Sequence, residues 1–190
     1  MGELAELATE RVRLRAWREG DLPAYAALNA DPRVMEFFPA VMGEEESEAS
    51  ARRIMDQHER LGFTMWAVEV VASARGAADF VGFVGLSVPS FDVPFPHLAE
   101  PCVEIGWRLA ADWWGLGIAT EAATECLRYA FEDLDLPEVV SFAVTDNARS
   151  RAVMERIGMT YDCDFDHPRA APTDFWRRHA LYRATAPTPN

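Results

Sequence analysis

The chain has 190 residues, 49% of them hydrophobic and 26% charged, which is the composition of one globular domain that buries its core without disulfides or metal. Its 18 basic and 31 acidic residues give a net charge of −13. A surface this acidic repels phosphate backbones and anionic membranes, so we expect no nucleic-acid and no membrane partner. Such a surface attracts cations such as amines, although the charge serves solubility equally well.

The three cysteines, Cys102, Cys126 and Cys163, form no CxxC pair and have no neighbouring histidines. This pattern predicts no metal site and favours a reducing compartment. No apolar stretch approaches the roughly 20 residues that cross a bilayer, and the first residues lack the basic and apolar regions of a secretory signal. We therefore expect a cytoplasmic protein.

Hydrophobic periodicity predicts seven strands and four helices within one domain over residues 1–190. In chain order the predicted elements are a strand at 11–16, helices at 21–29 and 44–61, strands at 64–71, 79–88 and 102–109, a long helix at 119–134, a strand at 139–144, a helix at 147–157 and strands at 159–165 and 176–183. This order is typical of a single α/β (α+β) domain in which a mixed sheet carries helices on both faces.

Two stretches around the predicted strand at 102–109 carry special composition. The preceding loop, 89–101, holds four prolines together with Phe91 and Phe95, which predicts a lid or a packing flap rather than a central strand. The strand itself alternates, so that Glu104, Gly106 and Arg108 share the polar face.

A glycine turn, Gly115-Leu116-Gly117, leads from that strand into the long helix. Glycines let a backbone approach a phosphate closely, and the free N–H groups of a first helical turn attract anions. A helix-entry turn also uses glycine for steric reasons alone. The P-loop is excluded because no Gly-Lys-Ser/Thr follows, and the dinucleotide pattern breaks at Thr120.

Several segments together resemble the GNAT family of acyl-CoA-dependent N-acetyltransferases, within it the branch of the ribosomal-protein N-terminal acetyltransferases RimJ and RimL. Residues 103–109 (VEIGWRL) resemble the family's fourth strand, and residues 114–122 (WGLGIATEA) resemble its pyrophosphate loop and following helix. Residues 147–159 resemble its Asn-x-x-Ser segment, and the opening at 9–17 and the ending at 165–183 extend the match over nearly the whole chain. Asp112 stands where the family has Gln or Arg, and we expect its side chain to point outward.

The resemblance implies a mostly antiparallel seven-stranded sheet and acetyl-CoA as cofactor, with coenzyme A as product. It also implies direct transfer of the acetyl group to a primary amine in a ternary complex, because no cysteine lies in the matched motifs. The acceptor is then a protein N-terminus or, alternatively, a small-molecule amine or antibiotic. A non-catalytic acyl-CoA-binding module is the remaining alternative.

The resemblance also assigns roles to residues. Glu104 is the candidate base, unless it only attracts cationic substrate, and Ser150 is the candidate proton donor to the thiolate, with Tyr161 as second choice. The cofactor-binding residues it implies are Trp107, Leu109, Trp114, Gly115, Leu116, Gly117, Ile118, Ala119, Thr120, Asn147 and Ser150. The candidate substrate contacts are Phe37, Phe38, Trp66, Phe91, Phe95 and His167. The same aromatic residues would equally serve a homodimer contact.

Overall fold

The structure is a computed structural model that describes residues 4–92, 95 and 97–187. These residues form eight strands and four α-helices. In chain order they are β1 (Leu7–Ala8), β2 (Val12–Arg15), α1 (Leu22–Ala30), α2 (Glu44–Leu61), β3 (Met65–Val70), β4 (Gly82–Ser87), β5 (Glu104–Leu109), α3 (Ile118–Glu132), β6 (Glu138–Val144), α4 (Ala148–Arg156), β7 (Thr160–Asp166) and β8 (Arg178–Thr185). Short 3₁₀ turns lie at Glu19–Asp21 and Ala111–Trp113.

The predicted fold class is confirmed as a mixed, mostly antiparallel sheet flanked by helices, and the predicted count of seven strands is one too few. The additional strand is β1, which pairs antiparallel with β2. Its two residues are too few to show an alternating pattern, so only the pairing defines it. The described ladders are antiparallel except the one between β5 and β6, which is parallel at Glu104 and Val140.

The chain divides into two compact units, and β5 and α3 each pass from one unit into the other. The first unit runs up to residue 87 and adds residues 106–126; the second comprises residues 88–105 and the chain from residue 127 onward. The prediction of a single domain over the whole chain is not tested by this division and stays a prediction.

In the first unit, β1, β2, β3 and β4 follow one another as an antiparallel sheet. Its core includes Tyr25, Leu28 and Phe83, which lie between the first helices and the sheet. Arg15 alternates with the apolar Leu14 and Ala16, a pattern that predicts a polar strand face, yet Arg15 is 1% exposed. Both of its terminal nitrogens donate to Asp21 at 2.8 Å, and its Nε donates to Glu69 at 3.1 Å, so carboxylates compensate the buried charge.

In the second unit the strand order is β5, β6, β8, β7. Leu98, Val140, Phe165 and Leu181 belong to its core. The described parts of the proline-rich loop form no strand, whereas Val93, Pro94 and Pro96 lie outside the described residues. Over the described residues we find no helix with both the length and the apolar character needed to cross a membrane, and no group of side chains arranged to hold a metal ion.

Candidate functional site

The turn between β5 and α3 has the backbone geometry of an anion site. Gly115 and Gly117 adopt φ values of 74° and 80°, a left-handed conformation that favours glycine. The first helical hydrogen bond is donated by the Glu121 N–H to the Gly117 carbonyl at 3.0 Å. The N–H groups of residues 118–120 precede that bond and have no partner within the helix. With the helix dipole behind them, these donors suit a phosphate or pyrophosphate.

Arg11, which directly precedes β2, holds this turn in place through its guanidinium group. Its Nη1 donates to the Leu116 carbonyl at 2.9 Å, and its Nε donates to Glu121 Oε2 at 2.6 Å. Its backbone N–H and the Thr9 hydroxyl both donate to the other oxygen of Glu121. Sequence reasoning missed this network because no local pattern links residues that are 110 positions apart.

Glu121 is an acidic residue in the first turn of α3, where a free negative charge would oppose an anion. Burial raises the pKa of its carboxyl, but hydrogen bonds from Thr9 and Arg11 outweigh burial and hold that pKa below its ordinary value. Its negative charge is therefore paired with the Arg11 guanidinium at 2.6 Å. The network leaves the backbone donors of the turn to act on a ligand.

Asp112 lies in the short 3₁₀ turn that precedes the glycines, and its side chain is 68% exposed. Its carboxylate lies 3.9 Å from Arg33 Nη1. The expected outward orientation is therefore what the structure has, and this acidic side chain does not cover the glycine turn.

The second half of β5 presents backbone groups at an open strand edge. A Cβ on Gly82 would lie 2.1 Å from the Arg108 carbonyl oxygen, so the backbone of β4 packs closely on that side of β5. Because hydrogen-bonding groups alternate along a strand, those of Trp107 and Leu109 point to the opposite edge. Within the described part of the chain, the Leu109 carbonyl accepts the Trp114 indole N–H at 2.8 Å, and no strand pairs with Trp107 there. An extended ligand with amide groups fits such an edge.

Trp114 was expected to contact the cofactor. Its indole N–H donates to the Leu109 carbonyl at the end of β5, and its ring packs against the core of the first unit. The predicted contact of Trp114 with the cofactor stays a prediction.

Glu104 begins β5 in the second unit, opposite Val140 of β6. Its side chain is partly buried, and this burial raises the pKa of the carboxyl to about 8. A carboxylate with such a pKa accepts a proton readily at neutral pH, as a general base must. Burial, followed by the charge of Glu104, raises the pKa of the Cys102 thiol to about 11. Cys102 therefore stays protonated at neutral pH and is a poor nucleophile.

Asn147 and Ser150 lie together at the N-terminus of α4 in the second unit. Asn147 Oδ1 accepts the Ser150 backbone N–H at 3.1 Å and so caps the helix. The Ser150 hydroxyl and the Asn147 amide nitrogen donate to no acceptor among the described residues, which leaves both groups to a ligand. The second-choice donor, Tyr161, donates its hydroxyl to Asp164 at 3.1 Å.

The predicted substrate contacts of the first unit differ in how deeply they are buried. Trp66 is fully buried, and its indole donates to the Ala5 carbonyl at 2.8 Å, so it is a core residue and we withdraw it from the substrate contacts. Phe37 and Phe38 are partly buried. The Phe38 ring lies 4.1 Å below the guanidinium carbon of Arg108.

In the second unit, Phe91 and His167 come together, with ring centroids 4.5 Å apart. Burial first, and then the charges of His179 and Arg169, lower the pKa of His167 to about 4. The His167 ring is therefore neutral at physiological pH and presents an uncharged nitrogen to its surroundings. The Phe95 ring packs against the Phe165 ring, with the two centroids 5.2 Å apart.

Comparison with known proteins identifies the class. Residues 11–160 match the family model described as "Acetyltransferase (GNAT) domain". The chain therefore belongs to the GNAT acetyltransferase family. It is an acyl-CoA-dependent N-acetyltransferase that uses acetyl-CoA, as the glycine turn and the resemblance of the motifs led us to expect.

Three similar proteins illustrate this class. The FsC-acetyl coenzyme A-N(2)-transacetylase of Aspergillus fumigatus is 36% identical over 138 residues, which are 70% of this chain and 56% of that protein. A solved acetyltransferase from Agrobacterium tumefaciens str. C58 is 28% identical, with a TM-score of 0.72 over 97% of this chain and 96% of that one. RimL, the ribosomal L7/L12 alpha-N-protein acetyltransferase, solved with coenzyme A, is 19% identical, with a TM-score of 0.71 over 96% and 98% of the two chains. This last likeness concerns the fold alone.

Proposed function

We propose that this acetyltransferase transfers the acetyl group directly to a primary amine in a ternary complex, and that the acceptor is a protein N-terminus, as in the RimJ/RimL branch. The observation that carries the cofactor half of this proposal is the glycine turn at 115–117, whose backbone donors are held in place by Arg11. The acceptor half is supported by the resemblance of the sequence motifs to the RimJ/RimL branch.

A small-molecule amine is the second candidate acceptor. The Aspergillus fumigatus relative, whose name describes an N(2)-transacetylase that acts with FsC and acetyl coenzyme A, is more similar in sequence than RimL. The acidic surface, with a net charge of −13, would attract either kind of amine.

On this proposal the glycine turn and the end of β5 bind two parts of the cofactor. The N–H groups at the start of α3 hold the pyrophosphate, and the open backbone edge of Trp107 and Leu109 holds the pantetheine arm. Bound acetyl-CoA supplies an acetyl thioester. A backbone N–H at the end of β5 polarises the thioester carbonyl, as a fixed donor does in an oxyanion hole.

Two side chains of the second unit move the protons. Glu104 takes a proton from the acceptor's ammonium group, for which a pKa of about 8 suits it, and the resulting neutral amine attacks the thioester carbonyl. Ser150 donates to the departing thiolate, and its hydroxyl, unlike its backbone N–H, is not used by the helix cap. Asn147 contributes its amide nitrogen to the cofactor. The partly buried Cys163 and the buried Cys102 and Cys126 are all free thiols, which suits a reducing, cytoplasmic setting.

An acceptor screen tests this proposal. The purified chain is incubated with acetyl-CoA and either N-terminal peptides or small primary amines, and released thiol is measured against a blank without acceptor. We expect turnover of peptides, with a specificity constant well above that of any small amine. Turnover of small amines alone would establish the second candidate, and no turnover across both groups, with coenzyme A still bound, would refute acetyl transfer to amines.

A further inference from the structure

Arg108 of β5 carries a charge for which the first unit provides no counterion. Its Nη1 donates to the neutral amide of Asn29 at 2.7 Å, whereas its Nε is buried and has no acceptor. No carboxylate among the described residues lies within ion-pair distance of this guanidinium. A buried cationic donor without an acceptor costs folding free energy, so the arrangement calls for an explanation outside the fold.

Arg15 of the same unit shows what a structural arginine looks like here. It is 1% exposed and is bonded by both oxygens of Asp21 and by Glu69. The buried guanidinium of Arg15 is therefore compensated by carboxylates of the same unit. The buried Nε of Arg108 has no such carboxylate partner.

The surroundings of Arg108 fix its guanidinium in one orientation. Asn29 is fully buried, donates to the Ser47 hydroxyl at 3.2 Å and accepts the Met42 N–H on its backbone carbonyl at 3.0 Å. The Phe38 ring stacks against the guanidinium face at 4.1 Å. Nη1 and one face are thus occupied and Nε is buried, which leaves Nη2 as the donor that a carboxylate can reach.

The guanidinium keeps its charge in this environment. Burial lowers the pKa of Arg108, and the nearby Tyr25 works in the opposite direction. An arginine side chain nevertheless remains protonated throughout the physiological range. The side chain as a whole is partly exposed while its Nε is buried, so an anion would approach the guanidinium at Nη2.

We propose that Arg108 binds a carboxylate of the acceptor, so that the preferred acceptor carries both an amine and a carboxylate. The inference rests on the acetyl transfer proposed above and narrows its substrate class. In a peptide the carboxylate is an acidic side chain close behind the N-terminus; in an amino acid it is the molecule's own. An acceptor with both charges has no net charge, so the acidic surface does not repel it.

Binding of two matched pairs of acetylated products, with coenzyme A saturating, tests this proposal by calorimetry. The first pair is N-acetylalanine and N-acetylalaninamide; the second is the amide of N-acetyl-Ser-Glu and that of N-acetyl-Ser-Gln. Only the carboxylate differs within a pair, and the pairs distinguish its two sources. We expect the wild type to bind at least one carboxylate compound about tenfold more tightly than its partner. In Arg108→Met this ratio falls to about one.

Three variants make the result decisive. Arg33→Met removes an exposed arginine of the same unit and should leave the ratio unchanged; an equal fall there would overturn the proposal as a general charge effect. If Arg108→Met does not fold, Arg108→Lys decides, because an ammonium group does not reproduce the planar guanidinium that Asn29 and Phe38 hold in place, and the ratio must fall.

Several results would overturn the inference. They are a ratio near one for both pairs in the wild type, a preference that survives Arg108→Met, or a loss of coenzyme A affinity in Arg108→Met, which would assign the guanidinium to the cofactor's phosphates. Since these measurements need no turnover, a chain that shows the Arg108-dependent preference but transfers no acetyl group would refute the proposed function alone.

Discussion

Arg11 and Glu121 are 110 positions apart in sequence, yet Arg11 Nε donates to Glu121 Oε2 at 2.6 Å. The same guanidinium donates through Nη1 to the Leu116 carbonyl at 2.9 Å. One side chain from the start of the chain therefore fixes both the glycine turn and the first turn of α3. The preorganisation of this anion site depends on Arg11 as much as on the glycines.

Replacing Arg11 should weaken cofactor binding. In Arg11→Met the Leu116 carbonyl and the Glu121 carboxylate both lose their cation, and Glu121 then places an unpaired negative charge in the first turn of the helix. We expect the dissociation constant of coenzyme A, measured by calorimetry, to rise about tenfold. Arg13→Met is the matched control, because Arg13 is exposed on β2, two residues further along, and among the described residues its guanidinium pairs with Glu69 at 3.4 Å. Equal affinities in the wild type and Arg11→Met would remove Arg11 from the cofactor site.

Much of the fold follows from local patterns in the sequence. The helix at 44–61 was predicted with the bounds that the structure has, because an acidic first turn and the left-handed Gly62 mark its two ends. The glycine turn was predicted because a strand, two glycines and a helix succeed one another. The strand β1 was missed because two residues carry no periodicity and form a strand only through pairing with β2.

The side-chain partners could not be predicted in the same way. Alternation placed Arg15 on the polar face, and only the approach of Asp21 and Glu69 allows its burial. Trp66 belongs to an aromatic set that fits a core or a cleft equally well in sequence, and its burial separates the two. Nothing local in the sequence indicates that the Arg108 guanidinium lacks a carboxylate partner.

The second prediction concerns the backbone of the glycine turn. Gly117 has φ 80°, and an added Cβ would lie 3.2 Å from Arg11 Nη2. Gly117→Ala should therefore lower the free energy of unfolding by about 1 kcal/mol and also weaken coenzyme A binding, because the strained turn and Arg11 must both shift. Chemical denaturation and calorimetry measure the two effects.

Gly76→Ala provides the control for strain alone. Gly76 has φ 99° with open space around its Cβ position, so the variant carries a comparable backbone cost away from the turn. We expect it to lose stability without losing coenzyme A affinity. If Gly117→Ala also keeps full affinity, the donors of this turn are not the pyrophosphate site.

The third prediction concerns the pH dependence of Glu104. Because its pKa is about 8, the carboxylate is the minor form at pH 7 and the rate constant kcat/KM should rise with pH to a plateau above 8. Glu104→Gln should lower kcat roughly 10²-fold to 10³-fold and remove this inflection. An acceptor whose own amine titrates well below pH 7 keeps the two titrations apart. An inflection near pH 8 that persists in Glu104→Gln would belong to another group.

Glu104 should also leave a signature in stability that needs no substrate. Its pKa is higher in the folded chain than the value near 4.3 of an unfolded one, so the folded state binds the proton more tightly. The free energy of unfolding that this tighter proton binding contributes is fully present below about pH 4 and is lost as the pH rises through about 8. The melting temperature of the wild type should therefore fall, relative to that of Glu104→Gln, between pH 5 and 8. Melting temperatures that change with pH in the same way in the wild type and in Glu104→Gln would contradict the raised pKa of the Glu104 carboxyl.

The fourth prediction separates the two polar groups of Ser150. Its backbone N–H donates to Asn147 Oδ1 at 3.1 Å, and a change of side chain leaves that cap in place. Ser150→Ala therefore removes only the hydroxyl, and we expect kcat to fall about a hundredfold with little change in the melting temperature. Asn147→Ala is the complementary variant, since it removes the cap and should cost about 1 kcal/mol of stability. If Ser150→Ala raises only the KM for acetyl-CoA and spares kcat, the hydroxyl binds the cofactor and does not protonate the thiolate.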